Sequence, residues 1–185
     1  MRTIAIVASV AAALGAGAVA SSAQDRTLEP STAPGAALAA ECARPLPAPA
    51  GGAPATFLKL EGIQGESKAA GHLDESEVDT FRIGAAAPGG HRPLVLGKPY
   101  DKASPQVLQR LVSGTTIPKV VLTQRKAAGV FVKYTLTGVT AIDVEHTGRV
   151  AANSDRMCLA FAQGEVEYRP VESDGTLGLP VKAQF

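Results

Sequence analysis

Beyond residue 56, one stretch carries a helical period and everything around it is broken into short apolar runs. A chain punctuated in this way is expected to build a sheet with a single helix laid on it. Ser104 offers an N-cap, and Pro105 a first helical position where the missing N–H costs nothing. Val107, Leu108, Leu111 and Val112 recur on one face, Gln106, Gln109 and Arg110 on the other, and Gly114 supplies a C′ residue that tolerates positive φ. The expected helix, about residues 105–113, is roughly 13 Å long at ~1.5 Å per residue. It is too short to be stable alone, so its apolar face must dock on a sheet.

The flanking segments supply that sheet. Phe57–Leu60 places Leu58 and Leu60 on one face, and Val78–Ile83 and Leu94–Leu96 follow as further strands. Val120–Arg125 and Val130–Leu136 flank Lys126-Ala127-Ala128-Gly129, a hairpin turn. Val139–Val144 is the next strand, the polar run Glu145–Asp155 a loop, and Met157–Tyr168 the closing strand. In that strand Leu159 and Phe161 have opposite parity to Val166 and Tyr168, so keeping all four inside predicts a β-bulge near Ala162-Gln163-Gly164. The 19 Gly and 13 Pro fit strands and turns better than a helical bundle, and with no Trp the core must rest on Val, Leu, Ile and Ala.

The first residues look like an address. Arg2 precedes the uncharged run Ile4–Ala20, and Ala18-Val19-Ala20 and Ser21-Ser22-Ala23 are small-x-small cleavage signals. Residues 1–23 are therefore expected to be a signal peptide. The alternative, a retained anchor, would need the full short run to span a bilayer. Removing Arg2 from 18 basic and 17 acidic residues leaves the mature chain about neutral. No basic block remains for nucleic acid, no membrane contact is expected after signal removal, and a neutral surface does little to oppose self-association. Residues 24–54, crowded with Ala, Pro and Gly, are expected to be a mobile or semi-extended linker in which Ala36–Glu41 forms at most one helical turn. Export would place Cys42 and Cys158 where a disulfide is allowed, but two unpaired thiols fit the sequence equally well.

Four motifs, in order, resemble one known family. Phe57–Ser67, with Gly62, Ile63, Gly65, Glu66 and Ser67 after an apolar strand, resembles the opening of the Hcp (haemolysin-coregulated) tube proteins of type VI secretion. Glu77–Phe81 is similar to their second strand. Asp101, Lys102, Ser104 and Pro105 match their D-K-x-S-P turn into the lone helix, and the tail from Asp174 to Phe185 fits in order. The resemblance implies that residues 55–185 form a compact β-barrel of two packed antiparallel sheets with one flanking helix, of phage tail-tube type. It implies a homo-oligomeric ring, six-membered in the family, that stacks into a tube and carries small effector proteins in its lumen, with no cofactor. The leader departs from the family, whose tube subunits assemble from the cytoplasm. That points to an exported homologue, periplasmic or extracellular. Phe185 stands where the family often has Trp, and Gly164 where it has a larger apolar residue.

Chemistry finds little support. His72, His91 and His146 lack partners at ligand spacing and are expected to be exposed loop residues. The acidic run Asp74, Glu75, Glu77, Asp79 lacks the spacing of a Ca²⁺ loop and is expected to be a solvated face. Ser104 has no nucleophile context, and Asp101 is expected to make a local turn bond. No catalytic or metal residue is expected. The alternatives to a ring protein are a stand-alone exported monomeric β-domain that binds a ligand or surface and, further off, a small hydrolase.

Overall fold

In the computed structural model, residues 34–48, 55–86, 90–148 and 153–185 are described. The signal-peptide reading of 1–23 and the ends of the expected linker lie outside them. In chain order the elements are α1 (Pro34–Ala43), β1 (Thr56–Leu60), β2 (Ser76–Glu77), β3 (Thr80–Ala86), β4 (Gly90–Pro99) and α2 (Ala103–Ser113). Then come β5 (Ile117–Lys126), β6 (Gly129–Gly148), β7 (Asn153–Ala160), β8 (Gln163–Tyr168) and β9 (Val181–Gln184). All pairings are antiparallel, in the order β2-β1-β5-β6-β7-β4-β3, with β8 on β6 and β9 on β8.

The sheet folds over on itself without closing as a continuous ladder. Its two ends approach where β2 gives way to β3: Val78 N–H donates to Thr56 O on β1 at 3.0 Å, and Asp79 N–H donates to Gly97 O on β4 at 2.9 Å. Two single bonds thus stand where a closed barrel would have a ladder. The strand expected at Val78–Ile83 starts only at Thr80, as β3, and the short β2 precedes it, because the chain changes partners at Val78–Asp79. Leu58, Leu60, Leu94, Leu96, Val120, Leu122, Leu136, Val139, Met157 and Leu159 fill the interior and are all buried.

Strand β6 does the folding. The sequence divides it into two strands with a loop from Glu145, whereas the structure runs one strand from Gly129 to Gly148 and starts β7 at Asn153. Gly138 permits this, with φ 62°, and a Cβ there would lie 3.0 Å from Ala162 Cβ. Such a glycine marks the bend at a barrel corner. Across the bend β6 pairs continuously with the other chain segment, Thr140↔Ala160 and Thr137↔Gln163, so no bulge falls at 162–164. The strand simply breaks at Phe161–Ala162, and the register shift sits at Ala141/Asp143. Tyr168, expected inside, is exposed.

Helix α2 ends at Gly114, whose φ is 64°, as the sequence predicts. Its start differs: Lys102 is the N-cap residue and Ser104 lies inside the first turn, fully buried. Pro105 still needs no backbone donor there, since the first four N–H groups lack helical partners. The docking face also turns. Val107 is in the core, Leu108 and Leu111 are half-buried, and Val112 is 82% exposed. The stretch expected as a linker contains the ten-residue helix α1, and Cys42 on it is bonded to Cys158 on β7. The turn at Ala127-Ala128 is a two-residue hairpin, with Lys126 opposite Gly129.

Candidate functional site

The D-K-x-S-P motif surrounds a lysine that the sequence does not single out. Lys98, near the end of β4, is fully buried. Its Nζ donates to Pro99 O at 2.9 Å, to Asp101 Oδ1 at 2.7 Å and to Ser104 Oγ at 3.0 Å, and lies 3.1 Å from Asp155 Oδ2 as a charge contact. Asp101 Oδ1 also accepts the Ala103 N–H at 2.9 Å, the expected local turn bond. Ser104 Oγ accepts the Asp101 N–H at 3.0 Å, so its place is set by Lys98 and Asp101 rather than by capping. On the far side, Asp155 Oδ1 meets His146 Nδ1 at 2.5 Å. A buried charge must be paired and fully hydrogen-bonded to be tolerated, and this one is. Although Ser104 and Lys98 touch, the ammonium donates all three protons to acceptors and the pair has no solvent access. The arrangement fixes the β4–α2 turn. Lys102, the motif's other cation, points outward, 3.9 Å from Asp74 Oδ1.

The other motif shapes a loop between β1 and β2. Gly62 has φ 77°. Ile63 is buried and Glu66 exposed. Gly65 N–H donates to Asp74 O at 2.7 Å and Ser67 N–H to Glu75 O at 2.9 Å, folding the loop back on itself. A Cβ on Gly65 would lie 2.4 Å from the Glu75 backbone, so only glycine permits this approach. Ser67 Oγ donates to Glu77 Oε1 at 3.1 Å and accepts the Ala69 N–H. His72 is no exposed loop residue: it is buried, stacked at 4.0 Å on Phe57, with Nδ1 2.8 Å from Glu75 Oε2. His91 and His146 are exposed but lie on strands rather than loops, His91 stacked on Phe161 at 5.1 Å. Of the acidic run, Asp74 and Asp79 are exposed, and partial desolvation raises the Asp79 carboxyl above the ordinary range, with Glu77 adding and Lys98 opposing. Beside this loop an open cleft of about 810 Å³ is lined by Lys59, Glu61, Asp74, Glu75, Lys102 and Lys119. Its mixed charges do not converge on one point.

Two further features escaped sequence reasoning. Strand β9 forms an outer edge, paired only with β8, and every residue in it is exposed. Tyr168 sits opposite Val181 across that pair, and both are exposed, as are Val171 and Leu179 nearby. Glu167, between Lys133, Arg169 and Lys182, is held below the usual carboxylate range by hydrogen bonds from Arg169 and Lys182. The second feature involves the family departures at the tail. The Phe185 ring lies where a side chain on Gly164 would be, 2.6 Å from the ideal Cβ, and packs edge-on against Phe161 at 5.7 Å. The missing side chain and the terminal aromatic are thus one adjustment.

Among the described residues no group of three or more His, Cys, Asp or Glu could hold a metal, and no helix is long and apolar enough to cross a membrane. A folded-over antiparallel sheet, a docked helix pinned by a buried ion cluster, and an exposed apolar edge define this β-rich domain. Comparison with known proteins gives its family. Residues 57–168 match the family described as type VI secretion system effector, Hcp. The chain is 30% identical over 146 residues to protein hcp1 of Pseudomonas aeruginosa, covering 68% of this chain and 90% of that one. Hcp2 from Salmonella typhimurium superposes with a TM-score of 0.60 at 31% identity, over 70% of this chain and 93% of that chain. Hcp1 from the same organism gives 0.61 at 29%, over 70% and 92%. This chain belongs to the Hcp family of type VI secretion tube proteins. Members of that family are structural proteins secreted by the type VI system.

Proposed function

We propose that the mature chain assembles into a closed six-membered ring of tube type, carries small effector proteins in its lumen, and performs no catalysis. The observation that carries this reading is the exposed β9 edge. Among the described residues the backbone N–H and C=O groups on its outer side and the Tyr168–Val181 pair face no neighbour, and head-to-tail contacts at such an edge close into rings. Residues 1–23 are proposed to be a leader removed on export. Residues 24–54 then connect to the ring-forming domain at 55–185, and the product is periplasmic or extracellular. The pairing of Cys42 with Cys158 supports an oxidising destination.

Native mass measurement and negative-stain microscopy of the secreted chain test the assembly. Rings of six are expected, and Val181→Asp should dissolve them without changing the melting temperature. A monomer at high concentration would replace this reading with that of a stand-alone binding domain.

A further inference from the structure

The outer face of β3, β4 and β7 is covered by a segment outside the family match, which begins at residue 57. Two cross-strand rows form that face: Thr80–Gly97–Arg156 and Arg82–Val95–Cys158. Residues 34–48 lie on them. Arg82 donates to Glu41 O at 2.6 Å, to Pro45 O at 2.9 Å and to Arg44 O at 3.2 Å; Arg156 donates to Arg44 O at 2.8 Å and to Cys42 O. Thr80 Oγ1 donates to Pro47 O at 3.0 Å, and Arg92 pairs with Glu41 at 3.6 Å. Leu46 packs over Val95 and Cys158, alongside Gly97.

One covalent bond, Cys42–Cys158, ties the segment to β7 beside these hydrogen bonds and the Leu46 contact. Cys42 is the only fully buried residue among 35–48, and most of α1 is exposed. Ordering so many residues for two apolar side chains and a few hydrogen bonds is unfavourable unless the chain is already tethered. The face beneath would then present three guanidiniums around an apolar floor. Among the described residues Arg92 Nε is buried without a partner even with the segment in place. Such a surface takes an acceptor-rich peptide with an apolar anchor, as the segment itself demonstrates with its carbonyls and Leu46.

We propose that residues 34–48 are a redox-locked strap over an arginine-lined docking face for an acidic peptide, closed while Cys42 is bonded to Cys158 and opened by reduction. An external dithiol supplies two electrons and two protons, leaves as its own disulfide, and converts the bridge to two thiols. The mature chain, oxidised, reduced and as Cys42→Ser, would be followed by hydrogen exchange and by anisotropy with a fluorescent peptide of glutamates around one leucine. Expected are amide exchange in 34–43 at least about tenfold faster on opening and peptide binding at least about tenfold tighter. Exchange in β4 and β7 should be retained, and binding should be lost in Cys42→Ser/Arg82→Ala. Unchanged protection of 34–43 after reduction would overturn the lock. So would cooperative unfolding of the β-body, which would make the bridge a fold staple. Peptide binding indifferent to the bridge or to Arg82, or capture of an oligonucleotide in preference to the peptide, would overturn the docking face.

Discussion

Lys98→Met tests whether the buried ion cluster, rather than apolar contact alone, holds the β4–α2 turn. Methionine nearly preserves the volume and removes the charge. It leaves Asp155, fully buried, and Asp101, 10% exposed, without the ammonium that both carboxylates face. Breaking a buried pair from one side costs about 3–5 kcal/mol. Asp101 can turn toward water and Asp155 keeps His146 at 2.5 Å, so the lower end, about 3 kcal/mol, is expected. With a urea slope near 2 kcal/mol/M, the unfolding midpoint should fall by about 1.5 M. Lys98→Met/Asp155→Asn removes both charges and keeps an acceptor for His146. It should recover to within about 1 kcal/mol of the parent, because replacing a whole buried pair is often nearly neutral. The paired experiment is equilibrium urea denaturation of both variants under oxidising conditions. A single-variant loss below about 1 kcal/mol, or a double variant no better than the single, would refute the claim that unpaired charge is the source of the penalty.

The remaining expectations concern single positions. Val107→Asp should abolish folding because it buries an unpaired carboxylate, whereas Val112→Asp, five residues on and 82% exposed, should melt within about 2 °C of the parent. Gly65→Ala should destabilise by roughly 1–3 kcal/mol in denaturant titrations, since backbone rather than a yielding side chain blocks the new methyl. Asp79→Asn should raise the melting temperature at neutral pH and lose that advantage in acid. A carboxyl whose folded value is raised contributes stability below its unfolded value and loses it as pH climbs through the folded one. Melting curves on both sides of the aspartate range check the sign.

The sequence shows its strands best where one face is wet. β5 and β6 flank a hairpin turn, and the alternation in β6 marks their register, with Thr123 opposite Lys133 and Leu122 opposite Tyr134. The bend in β6 is hidden because nothing local distinguishes Gly138 from a strand break; its role comes from Ala162 across the ladder. Lys98 escapes for a similar reason. Between a glycine and a proline it looks like a turn lysine, and only Asp155, brought alongside by Lys98↔Asp155 pairing, shows it to be a buried cation. Strand β9 gives no hydrophobic period because all of it is exposed, so pairing with β8 alone orders it.

The runs Leu94-Val95-Leu96 and Met157-Cys158-Leu159 carry a signal of a different kind. A strand at the edge of a wet sheet alternates; these do not, and all six residues are buried. Leu94, Leu96, Met157 and Leu159 face the core, while Val95 and Cys158 point the other way and pair with each other in register. Continuous apolar runs in adjacent strands mean that both faces are covered. Something must therefore lie on the outer face, and among the described residues α1 is the helix that does it, since α2 is docked inside. The proline-rich stretch that looks like a linker from composition is required as a cover by the strands it precedes. Phe57 makes the same demand on the opposite outer face and is met by His72 from the Gly62–Asp79 loop. In both places the burial of an outward-pointing apolar residue dictates where an irregular segment must lie. The difference is that His72 belongs to the family motif region, whereas the cover over Val95 needs a disulfide to stay in place.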